Sequence, residues 1–343
     1  MAGPMGYRSY RGRTPKWKAV LAVVLVLVIL AAIAVIRLQR YIVYDETGTP
    51  HLLLEQERQE EPENLGEVEL TIQKAEPQEI IAFAVPEGPL TQEAWADAAA
   101  RAGSAPECGY NAAAVTVKGG TGSVYFDAAA AVPGAVEIKE DTAAVLAEIA
   151  GEDSGFYTIA RLSCFHDPKA ANDSVEEMGL KNTGGYIFYD GNNSQWLDPG
   201  KPAARQYLCA LAGEAAELGF DEILLTDVGY PTEGKLDKIA YTGSEFLEDQ
   251  VVLFLQEMKT ALEPYGTALS VELPEEVVAE GADEAAGLYL EKIAPLVDRI
   301  YAETSPERGG DLAEAVSAAG GRGAFAAEVP DRPPDAGGSC LVY

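Results

Sequence analysis

Residues 203–227 read AARQYLCALAGEAAELGFDEILLTD. Ala203 to Leu218 is rich in Ala, Leu and Glu, a composition that favours a helix. Gly219 stands where a chain leaves a helix. Glu222 to Asp227 is a short run with an apolar centre, Ile223-Leu224-Leu225, of a length suited to a buried strand. One helix feeding one buried strand is half of a β/α unit, so the fold turns on how often the pair recurs.

It recurs across the rest of the chain. Further strand candidates are Ile80–Val85, Ala112–Lys118, Phe156–Cys164, Ala268–Leu273, Val297–Glu303, Ala324–Val329 and Ser339–Val342. Helix candidates between them are Gln92–Ala102, Thr142–Ala150, Glu245–Leu262, Glu284–Ile293 and Leu312–Ala318, with Thr91 and Asp141 as caps and Gly266 at an exit. Eight strands with interposed helices over residues 80–343 predict an α/β fold of the (β/α)8 TIM-barrel type. An open doubly wound sheet is the alternative, but no Gly-rich dinucleotide turn follows the first strand and no Walker A sequence occurs. The last two units are thin, because Pro330–Gly338 is too short and Pro-rich for a helix.

The N-terminal part has a different chemistry. The chain carries a net charge of −30, yet residues 1–40 hold seven Lys or Arg and no acid. The other 303 residues therefore carry 18 basic against 55 acidic side chains. That balance excludes a reader of nucleic-acid phosphates, which draws its affinity from clustered cations. Ala19 to Ile36 has no polar side chain and predicts a transmembrane helix over residues 19–36. Residues 1–18 form a basic tail, and the excess of positive charge before the helix predicts an N-terminus in the cytoplasm and a C-terminal domain outside. Residues 37–79, with 11 acids after Tyr44, predict a solvated stalk.

Two His and four scattered Cys leave little material for a metal site, and no cofactor motif is present. Cys108, Cys164, Cys209 and Cys340 read as small buried hydrophobes more readily than as disulfides. In a barrel, chemistry collects at the C-terminal strand ends. Asp227, Glu272 and Glu303 fall there, and two facing carboxyls are the equipment of glycoside hydrolysis. Glu272 and Glu303 form the preferred acid/base pair, with Asp227 as a third catalytic candidate. Lys118, Arg161, Trp196 and Tyr230 are the candidate substrate-binding residues, the aromatics offering flat faces to sugar rings. His166 with Asp167 and Pro168 reads first as a turn.

These residues also carry a resemblance. The stretch Phe156 to Pro168, FYTIARLSCFHDP, the block Trp196-Leu-Asp198-Pro199 and Glu214 to Ile223 resemble the motifs of a glycoside hydrolase domain family, DUF4015. Asn111 to Lys118 followed by Gly122 is similar to another of its strands. The resemblance implies a TIM barrel outside the cell, acting on or binding cell-envelope polysaccharide. Lys118, Arg161, Trp196 and Asp198 match the family pattern. Where the family has FDYVRFP, this chain has Leu225 to Pro231, LTDVGYP, so an Asp becomes Thr226 and an Arg becomes Gly229. Another family Asp becomes Thr116, and a third becomes Glu272. Thr cannot carry the charge of a carboxylate. Asp227, one residue on, is expected to point to the other face of the strand. Two expectations therefore stand side by side: a hydrolase with a remodelled site, or a non-catalytic glycan-binding or scaffold protein of the cell envelope.

Overall fold

The protein is represented by a computed structural model that describes residues 79–151, 155–321, 324–332 and 337–343, with the backbone of 42–44 and 50–52. The chain divides into two compact units, residues 1–72 and 73–343. In the first, Ile42–Tyr44 pairs antiparallel with Pro50–Leu52. The expected membrane span at 19–36 and nearly all of the stalk lie outside the described residues. Among the described residues, no helix is long and apolar enough to cross a membrane.

The second unit is a closed barrel of eight parallel strands in chain order: β1 (Ile81–Ala84), β2 (Ala112–Lys118), β3 (Tyr157–Ser163), β4 (Glu222–Thr226), β5 (Ala268–Glu272), β6 (Arg299–Glu303), β7 (Ala324–Val329) and β8 (Ser339–Val342). Around it lie α1 (Gln92–Gly103), α2 (Thr142–Ile149), α3 (Pro168–Asp173), α4 (Pro202–Glu217), α5 (Leu247–Leu262), α6 (Glu275–Glu280), α7 (Leu290–Ile293) and α8 (Gly309–Ala318). All eight expected strands are present, within two residues of the bounds read from the sequence.

Alternate strand residues fill the barrel. Ala112, Ala114, Ile159, Leu224, Tyr301 and Leu341 pack together there, small alanines making room for the Tyr301 ring. Towards the N-terminal strand ends, Glu222 accepts a hydrogen bond from the Tyr301 hydroxyl at 2.8 Å and is ion-paired with Arg299. Outside the strands, Leu208 and Leu211 of α4 and Phe254, Leu255 and Met258 of α5 are buried. Each contributes roughly 1.5–3 kcal/mol through burial of apolar surface. Phe254 meets Phe165, in the loop after β3, with ring centroids 4.8 Å apart.

Local signals were followed except where a tertiary contact offered more. Thr91 caps α1 by accepting from the Ala94 N–H at 3.1 Å. Asp141 precedes α2 but does not cap it; its carboxylate accepts the Gln92 N–H in the first turn of α1, at 2.8 Å. The expected helix at 284–293 is a correction. Ala282–Asp283 pairs instead with Leu288–Tyr289 in a hairpin, and only Leu290–Ile293 is helical. The Asp283 carboxylate takes the N–H groups of Ala285 and Ala286, and Gly287 has φ +70, so the turn outcompetes helix propensity. All four cysteines are free thiols.

Candidate functional site at the barrel mouth

The C-terminal ends of β3, β5 and β7 bring Arg161, Glu272 and Glu328 together inside the mouth. Arg161 Nη2 hydrogen-bonds Glu272 Oε2 and lies 3.4 Å from Glu328 Oε2. Burial opposes the charge on Arg161, but Glu328 and Glu272 outweigh it and hold its pKa above the ordinary value. Glu328 is 3% exposed, and burial pushes its carboxyl up to about 8; Arg161 pulls the other way, while Glu272 and Glu303 add to the rise. Burial thus favours the protonated carboxyl at Glu328, and the adjacent carboxyls, which cannot both ionise cheaply, add to that preference.

That shift has a consequence for stability. A carboxyl whose pKa is higher in the folded state favours folding at low pH, and the contribution is lost as pH rises from its ordinary 4.5 through about 8. Glu328→Gln is therefore expected to flatten the fall in urea midpoint between pH 5 and pH 8. A fall as steep as in the unmodified chain would assign the pH dependence to other groups.

Asp227 departs from the strand-based expectation. β4 ends at Thr226, and Asp227 takes φ +51, a left-handed conformation uncommon outside glycine. This turn cancels the alternation that would have sent its side chain to the outer face. Its carboxylate instead accepts hydrogen bonds from Ser163 Oγ at 2.6 Å and Thr226 Oγ1 at 3.3 Å. Its charge also helps hold the Arg161 pKa up. Glu303 stands further out, exposed, and accepts a hydrogen bond from the Tyr343 hydroxyl at 2.7 Å.

The other sequence candidates divide between wall and frame. A cleft of about 1340 Å³ opens over the cluster, lined by Asp227, Glu272, Glu303, Trp196 and Tyr230 among others. Trp196 is half-buried, stacks on His166 with centroids 4.8 Å apart, and donates its indole N–H to Asp190 at 2.9 Å. Tyr230 is buried and packs against Leu180, Phe188 and Ile239, presenting little more than an edge. Lys118 does not line the cleft. It is 1% exposed, its Nζ lying 3.0 Å from Asp167 and donating to the Ser163 carbonyl at 2.7 Å. The β2–β3 register shifts between Thr116 and Lys118, and such an irregularity re-aims side chains. Asp167 also caps α3 through the Ala170 N–H, so the pair fixes the loop after β3. Asp198 is likewise buried, accepting from Thr242 Oγ1 at 2.8 Å and the Gly200 N–H at 2.9 Å.

Gly229, at the family's Arg position, sits against the 282–289 hairpin. A Cβ there would come within 2.7 Å of the Ala286 carbonyl, the acceptor of the Tyr230 N–H. The hairpin occupies the space a larger side chain would need. Among the described residues, no group of His, Cys, Asp and Glu has the arrangement of a metal site.

Residues 103–307 match the family described as "putative glycosyl hydrolase domain", DUF4015. The chain belongs to that family. No curated protein matches it. The chain is similar to the PgaB (BpsB) glycoside hydrolase domain from Bordetella bronchiseptica, with a TM-score of 0.51 and 13% identity over 77% of this chain and 93% of that one. A hypothetical protein from Ruminiclostridium thermocellum is 25% identical, with a TM-score of 0.45 over 56% of this chain and 96% of that one. The first likeness supports the barrel fold. Within this DUF4015 domain, Glu328 falls near the end of the strand expected at Ala324–Val329 but is not among the carboxyls singled out from the sequence. The alternation Ala324-Phe325-Ala326 carries the signal, since Ala326 and Glu328 share the inner face.

Proposed function

We propose that this DUF4015 domain is a glycoside hydrolase acting on cell-envelope polysaccharide, with Glu272 as proton donor and Asp227 as the second carboxylate. One observation carries the reading: the Glu272 and Glu328 carboxyls share the Arg161 guanidinium beneath a large open cleft. A proton kept by Glu328 is available to Glu272, the member that lines the cleft. Glu272 passes it to the glycosidic oxygen as the C–O bond breaks, and Arg161 stabilises the carboxylate left behind. Asp227 activates water or attacks the anomeric carbon. Its hydrogen bonds from Ser163 and Thr226, and its left-handed backbone, fit the tendency of functional sites to hold unfavourable conformations. Glu272 and Glu328 themselves are too close to serve as the two opposed carboxyls, which need about 5–9.5 Å between them. Trp196 supplies a face for a pyranose ring.

The apolar segment 19–36 and its flanking charges support a further part of the proposal, a domain displayed outside the cell on a single membrane anchor. The second reading, a glycan-binding domain without turnover, draws on Thr226, which stands where the family carries an Asp and cannot serve as an acid. Incubating the full chain with cell-envelope polysaccharides and measuring new reducing ends separates the two. Release of reducing ends is expected; binding without release across the panel would overturn the hydrolase reading in favour of the binder.

A further inference from the structure

The loop after β3 holds a histidine that the proposed chemistry does not use. His166 and Trp196 pair across two antiparallel backbone segments, and the Leu197 N–H donates to the Phe165 carbonyl at 2.8 Å. Side chains of such a pair lie side by side, and here the rings stack, with centroids 4.8 Å apart and planes 22° from parallel. The imidazole is also held at its edge, where Nε2 lies 2.7 Å from Ser194 Oγ. A Cβ on Gly120 would stand 3.1 Å from Nδ1, so the glycine leaves the ring room at its second nitrogen.

Trp196 is held independently by the turn before it. Asp190 accepts the indole N–H on one carboxylate oxygen, at 2.9 Å, and on the other accepts the N–H groups of Asn192 at 2.9 Å and Ser194 at 2.8 Å. Asn193 takes φ +62, in the left-handed region where Asn is enriched. One carboxylate therefore shapes the turn that brings Ser194 to His166 and fixes the indole. The His166 backbone is tied in turn to the second carboxylate of the site, because Ser163 Oγ reaches both the His166 carbonyl, at 3.2 Å, and Asp227 Oδ2, at 2.6 Å. The loop itself is held by the Asp167 cap of α3 and the Phe165–Leu197 hydrogen bond; the stacked imidazole bears on Trp196.

We propose that His166 is a positioning residue: its imidazole, locked by Ser194, backs the Trp196 indole and holds it as a fixed platform for one sugar ring in the cleft wall. The inference rests on the glycan reading above for the identity of the ligand and goes beyond it in assigning the residue that presents the platform. A ring tied at its N–H and covered on one face has given up its rotamer freedom before a ligand arrives, so ordering it does not subtract from binding. Because the imidazole covers that face, the indole takes a single ring on the surface it leaves to the cleft.

The test uses the full chain carrying Trp17→Phe and Trp95→Phe, so that indole emission reports Trp196 alone. Time-resolved anisotropy of this background is expected to show the indole turning with the whole protein. His166→Ala is expected to add a fast component from local rotation, on the ps–ns timescale of a freed side chain. His166→Phe keeps a ring against the indole and is expected to suppress that component again, which separates a lost platform from a misfolded loop. The same emission is then titrated with cellohexaose and with an N-acetylglucosamine hexamer. His166→Ala is expected to weaken binding about three- to tenfold, the factor that corresponds to one side chain immobilised on binding, and His166→Phe to recover most of it. An anisotropy decay in His166→Ala equal to that of the background would overturn the inference, as would a freed indole with unchanged hexamer binding. Binding of neither hexamer by the background would count against the glycan reading alone, because the anisotropy decay still decides the role of His166.

Discussion

Glu272→Gln is expected to lower glycan turnover by about 10²–10⁴-fold, the usual contribution of a positioned acid or base. The amide keeps the size of the carboxyl and an oxygen to accept from Arg161, so the mouth should stay assembled. It cannot release a proton to a leaving oxygen. Asp227→Asn should cost a comparable factor for the complementary reason, loss of the group that activates water or attacks carbon. The proton reserve also predicts a pH profile. Glu328 is held up to about 8 by burial, so activity should decline as pH rises through that region and Glu328 gives up its proton. Glu328→Gln should move or remove that limb while leaving the fold intact. Initial rates of reducing-end release across pH, with circular dichroism to check folding, measure all three. Turnover by Glu272→Gln within twofold of the unmodified chain would end the assignment.

The second large effect is on stability. Lys118→Met is expected to destabilise the barrel by about 3–5 kcal/mol, because it leaves the fully buried Asp167 carboxylate without its cation. Asp167 cannot simply be given up, since it caps α3 and lies within reach of the Tyr207 hydroxyl at 3.4 Å. Adding Asp167→Asn should restore part of the loss: the amide oxygen still accepts the Ala170 N–H and carries no charge. Urea denaturation of the single and double variants measures this. Turnover per folded molecule should be unchanged, because Lys118 lies off the cleft. A variant with the original urea midpoint and a raised KM would instead make Lys118 a substrate contact, as its strand-end position first suggested.

The Lys118 and Asp227 cases mark where strand-end reasoning stops. Both residues were found because chemistry collects at the ends of barrel strands, and both do lie at such ends. Which way each points depended on a register shift after Thr116 and a left-handed turn after Thr226, neither of which has a signature in side-chain pattern. Glu328 was missed for another reason. With 55 acids in the chain, position alone distinguishes no single carboxyl, and what sets Glu328 apart is burial beside Arg161. The 284–293 segment was read as helix from its Ala, Glu and Leu content, and only the Asp283 turn and its contact with Tyr230 made it a hairpin.

The sequence alone determined the β/α repeat, the eight strands and the family, because period, length and punctuation are local properties written in consecutive residues. It also determined the division of charge between a basic, apolar N-terminal segment and an acidic domain. The tertiary structure decided which carboxyls share Arg161, which lysine is sealed in the frame, and that a hairpin stands against Gly229. Those facts depend on distances between residues on different strands and on burial, which shifts a proton from one carboxyl to another without changing a letter of the sequence.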